Sequence, residues 1–196
     1  MTDHRKQRLE TLGSFFRPAD AKESGISYEA LQGLVRDGIV ERESWGLYHQ
    51  VDVEPTENYS LATACAQVPR AIVCLLSALQ VHGIGTRLPA QVWLAVPNKA
   101  RPPRVRGIKI QLVRFSGAAL TYGVVPTHFE GVPARITNPA RTIVDCFRFE
   151  RRIGREAAKE ALYDALDQRK VTIDAIYRTL EVLPSTKLRA ALEVMP

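Results

Sequence analysis

The most constraining feature of the sequence is the spacing of helix-start and helix-stop residues between positions 14 and 50. Pro18 suits the first turn of a helix, where a missing N–H costs little. Gly25 suits the residue after that helix, because it accepts a positive φ. Ser27 is a preferred N-cap for a second helix, which Gly38 ends. Two short helices separated by a tight glycine turn predict a helix-turn-helix.

A short hairpin is predicted directly after the second helix. The β-prone segments are Ile39-Val40 and Leu47-Tyr48-His49, with turn-forming residues at Ser44-Trp45-Gly46 between them. A hairpin in this position is the wing of a winged helix-turn-helix, which we predict as a domain over residues 1–52. A helix-turn-helix places its second helix in the major groove of DNA.

The outward face of the second helix carries side chains suited to reading DNA. Tyr28, Gln32 and Arg36 recur at i, i+4 and i+8, which places them on one helical face. Gln and Arg can pair bidentately with base edges, and a tyrosine hydroxyl can reach a phosphate. We predict these three, together with Arg42 and Trp45 on the wing, as DNA-contacting residues.

The charge of the first segment favours an alternative. Residues 1–50 contain seven Lys or Arg and eight Asp or Glu, so their net charge is −1. A domain that binds DNA unaided is usually basic. Exposed glutamates at positions 29, 41 and 43 would repel phosphate. A winged domain that docks a protein and never touches DNA therefore stays open as the second hypothesis.

Composition limits the compartment and the partners. The 196-residue chain carries a net charge of +6, which favours polyanionic partners. Its three cysteines form no C-x-x-C pair, which argues against a disulfide framework or zinc site and favours a reducing cytoplasm. The sequence begins without a signal-peptide pattern, and its longest apolar run is too short to span a bilayer. We expect a cytoplasmic protein with no cofactor and no membrane partner.

The remainder of the chain is predicted to be a second domain over residues 60–196, after an acidic, proline-containing link at 52–58. Strands are predicted at 92–96, 108–115 and 132–136, and Pro126 limits 124–129 to an edge strand or irregular piece. Helices are predicted at 60–68, at 71–82, after the Asn138-Pro139 start signal, and from Arg155 onward, where Ile173 and Tyr177 are assigned to the buried face. The expected fold class is α/β (α+β), ending in helices.

Positive charge is concentrated in this second domain. No Asp or Glu occurs between Glu57 and Glu130, a stretch that contains eight Lys or Arg. A proline-rich loop between two predicted strands cannot bury charge cheaply. This loop carries five cations: Lys99, Arg101, Arg104, Arg106 and Lys109. We predict the first four as DNA contacts. Two alternatives stay open for the loop, a hairpin exposed to solvent and a contact with an acidic protein.

Four short motifs follow one another along the chain. They are Gly38-Ile-Val with Gly46-Leu-Tyr48, Ser77-Ala-Leu79 with His82-Gly83, Val92-Trp-Leu-Ala-Val-Pro97, and Asn138-Pro-Ala-Arg-Thr-Ile-Val-Asp145. In this order they resemble a known family, the AbiEi-type antitoxins of bacterial abortive-infection toxin–antitoxin systems. The resemblance covers nearly the whole chain, and the order of the motifs carries it more than any one of them.

The resemblance implies a function. It implies an N-terminal winged helix-turn-helix and a C-terminal α/β domain. It further implies that the protein represses its own operon by binding double-stranded promoter DNA. It also implies that the protein counters a nucleotidyltransferase-like toxin, with or without direct contact. The DNA-reading role falls on Tyr28, Gln32, Arg36 and Arg42. Without a toxin gene beside it, an orphan transcriptional regulator is the alternative.

Motifs typical of enzymes are missing from the sequence. The histidines at positions 4, 49, 82 and 128 have no metal-site spacing, and His82 is expected to be structural. A metal-dependent nuclease needs clustered carboxylates, and the central strands offer only Glu130. Asp145 is expected to act as a cap or to form an ion pair with Arg141 or Arg148. The Arg141–Asp145 spacing is i, i+4, that of a surface pair worth about 0.3–0.5 kcal/mol. We expect no enzymatic activity.

Overall fold

The computed structural model describes residues 8–9, 11–44, 46–52 and 56–194. The chain divides into two compact units. Unit 1 comprises Met1–Pro69 and Thr127–Ala134, and unit 2 comprises Arg70–Pro126 and Arg135–Pro196. This division differs from the predicted domains 1–52 and 60–196, because a further helix and a hairpin tip belong to unit 1.

Unit 1 is built from short helices and a three-stranded antiparallel sheet of order β1-β3-β2. The predicted helix, turn, helix and hairpin are all present in sequence order. Their bounds are β1 Phe15–Phe16, α1 Pro18–Glu23, α2 Tyr28–Arg36, β2 Val40–Ser44, β3 Leu47–Gln50 and α3 Tyr59–Gln67.

Local capping explains where α2 begins and ends. The Ser27 hydroxyl accepts a hydrogen bond from the Ala30 N–H at 3.2 Å, as an N-cap does. At the other end Gly38 has φ +69°, and the Ile39 N–H returns to the Leu34 carbonyl at 3.0 Å. Such closure of a helix needs a left-handed residue, which glycine adopts without strain. The predicted start and stop of this helix are confirmed.

The inner face of α2 is buried in a small core. Leu31 and Leu34 are 1% and 3% exposed, and they pack with Ile26, Val40 and Tyr48. Burial of an apolar side chain of this size contributes about 1.5–3 kcal/mol. This packing fixes which face of α2 points to solvent.

Aromatic contacts place α3 in unit 1 and correct the predicted boundary. The Tyr59 ring lies 5.4 Å from the Phe15 ring and 6.3 Å from the His49 ring. The tip of the later hairpin joins the same unit because Glu130 accepts hydrogen bonds from Ser14 at 3.1 Å and Thr56 at 2.5 Å. These contacts join residues distant in sequence, so local composition gave no sign of them.

The second sheet is mixed, with the order β6-β5-β4-β8-β7. Strand β4 is antiparallel to β5 and parallel to β8, and β5 is parallel to β6. The predicted edge position of the proline-containing strand β7 is confirmed. The strands are β4 Ile72–Val73, β5 Val92–Pro97, β6 Ile110–Phe115, β7 Val124–Phe129 and β8 Val132–Thr137.

Helices pack on one another and on this sheet to form the core of unit 2. Asn138 caps α5 by accepting from the Arg141 N–H at 2.9 Å, and Pro139 occupies its first turn, as predicted. The fold is therefore mixed α+β. The helices are α4 Leu75–His82, α5 Pro139–Arg148, α6 Glu150–Ile153, α7 Arg155–Asp167, α8 Ile173–Val182 and α9 Thr186–Glu193.

Two parts of the predicted helical pattern are wrong. The helix predicted over 71–82 begins only at Leu75, because Ile72 and Val73 pair with strands on both sides. In α8, Ile173 and Tyr177 are 49% and 40% exposed, although they were assigned inward. The face of α8 that is buried carries Ile176 and Leu180. Apolar spacing alone did not separate these two adjacent faces.

The pair between Arg141 and Asp145 is buried, which contradicts its predicted place on the surface. Both side chains are 0% exposed, and Arg141 Nε donates to Asp145 Oδ2 at 2.7 Å. The guanidinium also donates to the carbonyls of Tyr122 at 2.5 Å and Ala119 at 3.0 Å, and it lies 4.9 Å from the Phe115 ring centroid. Arg141 thus connects α5 to the segment between β6 and β7.

Candidate nucleic-acid interface

The outward face of α2 presents three predicted DNA-contacting residues at its surface. Tyr28 is 66% exposed, and Arg36 is exposed in the last turn. Gln32 between them is only partly exposed, and its Nε2 lies 3.5 Å from the Tyr48 hydroxyl. A contact at that distance is at the limit of hydrogen bonding, so it orients the amide without holding it tightly.

The hairpin supplies one further described candidate. Arg42 is exposed on β2 and pairs in register with Tyr48. The ring of Tyr48 is buried beneath α2, so this register joins the hairpin to the predicted reading helix. Trp45, the other wing residue predicted to contact DNA, lies outside the described residues.

Acidic side chains lie close to these candidates. Glu29 is exposed in the first turn of α2, and the Glu41 side chain is 67% exposed on the hairpin. Glu41 lies 3.9 Å from a His49 ring nitrogen. The prediction that Glu43 is exposed is wrong: its side chain is only 11% exposed, lies 3.5 Å from His49 and accepts a hydrogen bond from Gln67 at 2.5 Å. These carboxylates reduce the positive potential near α2, so an approaching phosphate meets both signs of charge.

The second set of candidates lies on the loop between β5 and β6 in unit 2. Arg114 fixes the base of this loop by donating to the carbonyls of Pro97 at 3.0 Å and Ala100 at 2.6 Å. The Asn98 N–H also bonds to the Phe115 carbonyl at 2.9 Å. Between these anchors the loop exposes the predicted cations Lys99, Arg101, Arg104 and Arg106.

Each predicted set is brought together within its own unit. Tyr28, Gln32 and Arg36 share one helical face in unit 1, and the four loop cations share one anchored segment in unit 2. The loop offers exposed positive charge and apolar prolines, which suit phosphate contact without base reading. The α2 face offers an amide and a guanidinium, which suit base edges.

The glycine segment after α4 is held by contacts within unit 2. His82 Nε2 lies 2.7 Å from the Thr137 carbonyl and must be the donor, since a carbonyl only accepts. Burial lowers the pKa of this imidazole below its ordinary value. Lys170 donates to the His82 carbonyl at 2.5 Å, and Asp164 accepts from the Gly85 N–H at 2.6 Å. The contacts of His82 are those of a residue that holds the fold together, which is the structural role predicted from the sequence.

Unit 1 contains a cavity that was not predicted from the sequence. It measures about 350 Å³, and Arg17, Leu47, Cys65 and Val132 are among the residues that line it. Burial raises the pKa of the Cys65 thiol to about 12. A thiol protonated at neutral pH is a poor nucleophile and metal ligand. The cavity is assembled from segments far apart in sequence, so no single motif predicts it.

Metal-binding clusters and membrane-spanning helices are both missing from the described part of the chain. Within it, no group of three or more His, Cys, Asp or Glu side chains is arranged to hold a metal ion. Within the same ranges, no helix combines the length and the apolar character that crossing a bilayer demands.

Comparison with known proteins bears on the fold alone. No family model matches this chain, and no curated protein matches it. The chain is similar to the crystal structure of the Rv2827c protein from Mycobacterium tuberculosis, with a TM-score of 0.57 and 18% sequence identity; the match covers 92% of this chain and 70% of that one. This similarity supports an α+β class of fold.

Proposed function

We propose that the protein is a DNA-binding transcriptional regulator that acts through a winged helix-turn-helix in unit 1. One observation carries the proposal: α2 buries Leu31 and Leu34 and exposes Tyr28 and Arg36 on the opposite face, directly before a hairpin. A helix with one buried face and one polar exposed face can enter a major groove without exposing apolar surface. Gln32 and Arg36 then read base edges, and Tyr28 and Arg42 contact phosphate.

The basic loop of unit 2 supplies sequence-independent affinity in this proposal. Unit 1 contains seven Lys or Arg and twelve Asp or Glu, so its net charge is −5. Base reading by α2 alone would therefore give weak binding. Each phosphate neutralised by a loop cation adds affinity that falls with salt. In this proposal α2 supplies the sequence specificity. The salt-dependent affinity comes from Lys99, Arg101, Arg104 and Arg106.

The resemblance to AbiEi-type antitoxins supports a second role for the same protein. We propose that it represses the operon that encodes it and neutralises a nucleotidyltransferase-like toxin encoded beside it. Co-expression tests this role: the full chain restores growth of cells expressing the neighbouring gene, if that gene is toxic. Unrestored growth, or the absence of such a gene, leaves an orphan regulator as the better description.

The charge around α2 favours a second candidate function, a protein-docking module. Glu29 and Glu41 are exposed beside the predicted reading face, and carboxylates at these positions repel a phosphate backbone. A partner protein with basic side chains would complement them. The two functions differ in what they predict for promoter DNA. A regulator binds it through Gln32 and Arg36, so replacing both with alanine weakens binding; a docking module does not bind it selectively at all.

A gel shift on the upstream region of the gene tests the DNA-binding proposal. Gln32→Ala with Arg36→Ala is expected to weaken binding by about tenfold or more, since each good base pairing contributes about 1–3 kcal/mol. The matched control is Arg178→Ala, which removes an exposed, surface-paired guanidinium from unit 2. Unchanged binding by the double variant, with its fold intact by circular dichroism, rejects α2 as the reading helix.

A further inference from the structure

A groove in unit 2 lies between two helices that the DNA-binding proposal does not use. Its volume is about 560 Å³, and we name it the α7–α9 groove. Tyr163, Ala191 and Val194 supply its accessible apolar surface, and Arg155, Lys159 and Lys187 supply its cations. A concave site with an apolar lining and a few charged groups is the usual form of a binding site between helices.

The lining residues follow the spacing of one helical face on each side. Arg155, Lys159 and Leu162 stand at i, i+4 and i+7 on α7. Lys187 and Ala191 stand at i and i+4 on α9. Residues at this spacing form one stripe on a helix. The two stripes line the groove on opposite sides, and the small side chain of Ala191 allows close approach of another helix.

The charge of the groove is positive. Three cations and one carboxylate, Glu150, line it. Lys187 pairs with Glu150 at 2.5 Å, while Lys159 pairs with Glu156, a side chain that is 77% exposed, at 3.7 Å. Within the described residues no acidic side chain pairs with Arg155. An exposed pair such as Lys159 with Glu156 contributes little to stability. Arg155 and Lys159 can therefore both pair with a carboxylate of a partner.

The apolar part of the groove is open to a partner. Phe147 and Leu162 are 2% and 1% exposed and form a floor that cannot rearrange without disturbing the core. Above this floor Tyr163 is 49% exposed and Val194 is 79% exposed. Exposed apolar side chains beside a positively charged wall fit a ligand that is itself amphipathic and acidic.

We propose that the α7–α9 groove binds an acidic amphipathic helix of a partner protein. The apolar face of that helix packs on Tyr163, Ala191 and Val194, and glutamates or aspartates along its edges reach Arg155 and Lys159. Laying an amphipathic helix into a groove is a general mode of peptide recognition. Nucleic acid fits less well, because a phosphate backbone would leave the exposed apolar side chains of Tyr163 and Val194 uncovered.

A designed peptide tests the proposal with the full chain. The probe is a fluorescent peptide of about 18 residues, long enough to form a helix, with leucines at i, i+3, i+4 and i+7 and glutamates beside them. Its matched control carries lysine at every glutamate. Anisotropy is expected to show binding of the acidic peptide and at least tenfold weaker binding of the basic one. No binding of the acidic peptide, or equal binding of both, overturns the proposal.

Variants locate the binding site. Arg155→Glu with Lys159→Glu is expected to weaken binding of the acidic peptide by about tenfold or more, and Ala190→Trp is expected to block it by filling the groove. Arg189→Glu is the control, because this arginine is exposed on α9 outside the lining. Amide shifts in the ¹⁵N-labelled wild-type chain are expected on α7 and α9. Amide shifts confined to other elements contradict this binding site. Because the shifts are measured on the wild-type chain, this test holds even if a variant fails to fold.

Discussion

Replacing Asp145 by alanine tests the structure most severely, because it leaves a guanidinium buried without its carboxylate. Arg141 is 0% exposed, and its Nε donates to Asp145 Oδ2 at 2.7 Å. The substitution removes that acceptor and also the partner of Arg148 at 2.9 Å. Breaking a buried pair in this way costs about 3–5 kcal/mol, which is a large share of the 5–15 kcal/mol that stabilises a typical domain.

The chain contains its own control for this prediction. Asp174 and Arg178 form an i, i+4 pair at 2.9 Å, but their side chains are 74% and 66% exposed. Asp174→Ala is expected to cost less than about 1 kcal/mol. Urea unfolding followed by circular dichroism, compared at equal m values, measures both variants. Equal costs for Asp145→Ala and Asp174→Ala would refute the burial that we describe.

A second pair of variants separates charge burial from packing. Arg141→Met removes the buried charge but leaves the carbonyls of Tyr122 and Ala119 without that donor, at about 1–3 kcal/mol each. The combination with Asp145→Leu is expected to cost less than the sum of the single variants, since neither charge is then left alone. The coupling is expected to fall within about 0.5–3 kcal/mol. Strict additivity would show that the two side chains do not interact.

Three further predictions concern the cap, the buried histidine and the basic loop. Ser27→Ala removes the cap of α2 and is expected to lower the free energy of unfolding by about 1 kcal/mol in urea titrations; no change would show that the cap hydrogen bond is not formed. Because burial lowers the pKa of His82 below 6.5, the unfolded chain binds more protons, so stability is expected to fall as pH drops below about 6.5. His82→Gln is expected to flatten that dependence in thermal unfolding measured from pH 5 to 8, and an unchanged slope would exclude this histidine as its source. Arg101→Ala with Arg104→Ala is expected to weaken binding to every DNA sequence alike and to reduce the slope of log affinity against log salt by about 1–2; an unchanged slope would remove the loop from the interface.

The parts of the fold predicted correctly depend on neighbours in sequence. Ser27, Gly38 and the Asn138-Pro139 pair act on their own helices, so their residue types fix where those helices begin or end. Strand β5 is a continuous apolar run, and Pro126 excludes its strand from the middle of a sheet. The outward position of Tyr28 and Arg36 followed from the same local logic, since helical spacing fixes a face once the buried face is known.

The parts predicted wrongly depend on contacts between distant residues. Ile72 and Val73 join a sheet because strands from both sides pair with them, which no local pattern reveals. The sequence alone cannot distinguish a surface i, i+4 pair from the buried pair of Arg141 and Asp145. The α7–α9 groove also arises from elements far apart in the chain, so only the tertiary structure places its cations over an apolar floor.

One titration tests most directly the proposal that unit 1 reads DNA through α2. The purified chain is titrated onto a fluorescent duplex from its own upstream region and onto a scrambled duplex of equal length, each at about 50 and 200 mM salt. The proposal predicts selective binding to the upstream duplex that weakens as salt rises. Equal affinity for both duplexes, or no binding at either salt concentration, would contradict it and favour a protein-docking role for unit 1.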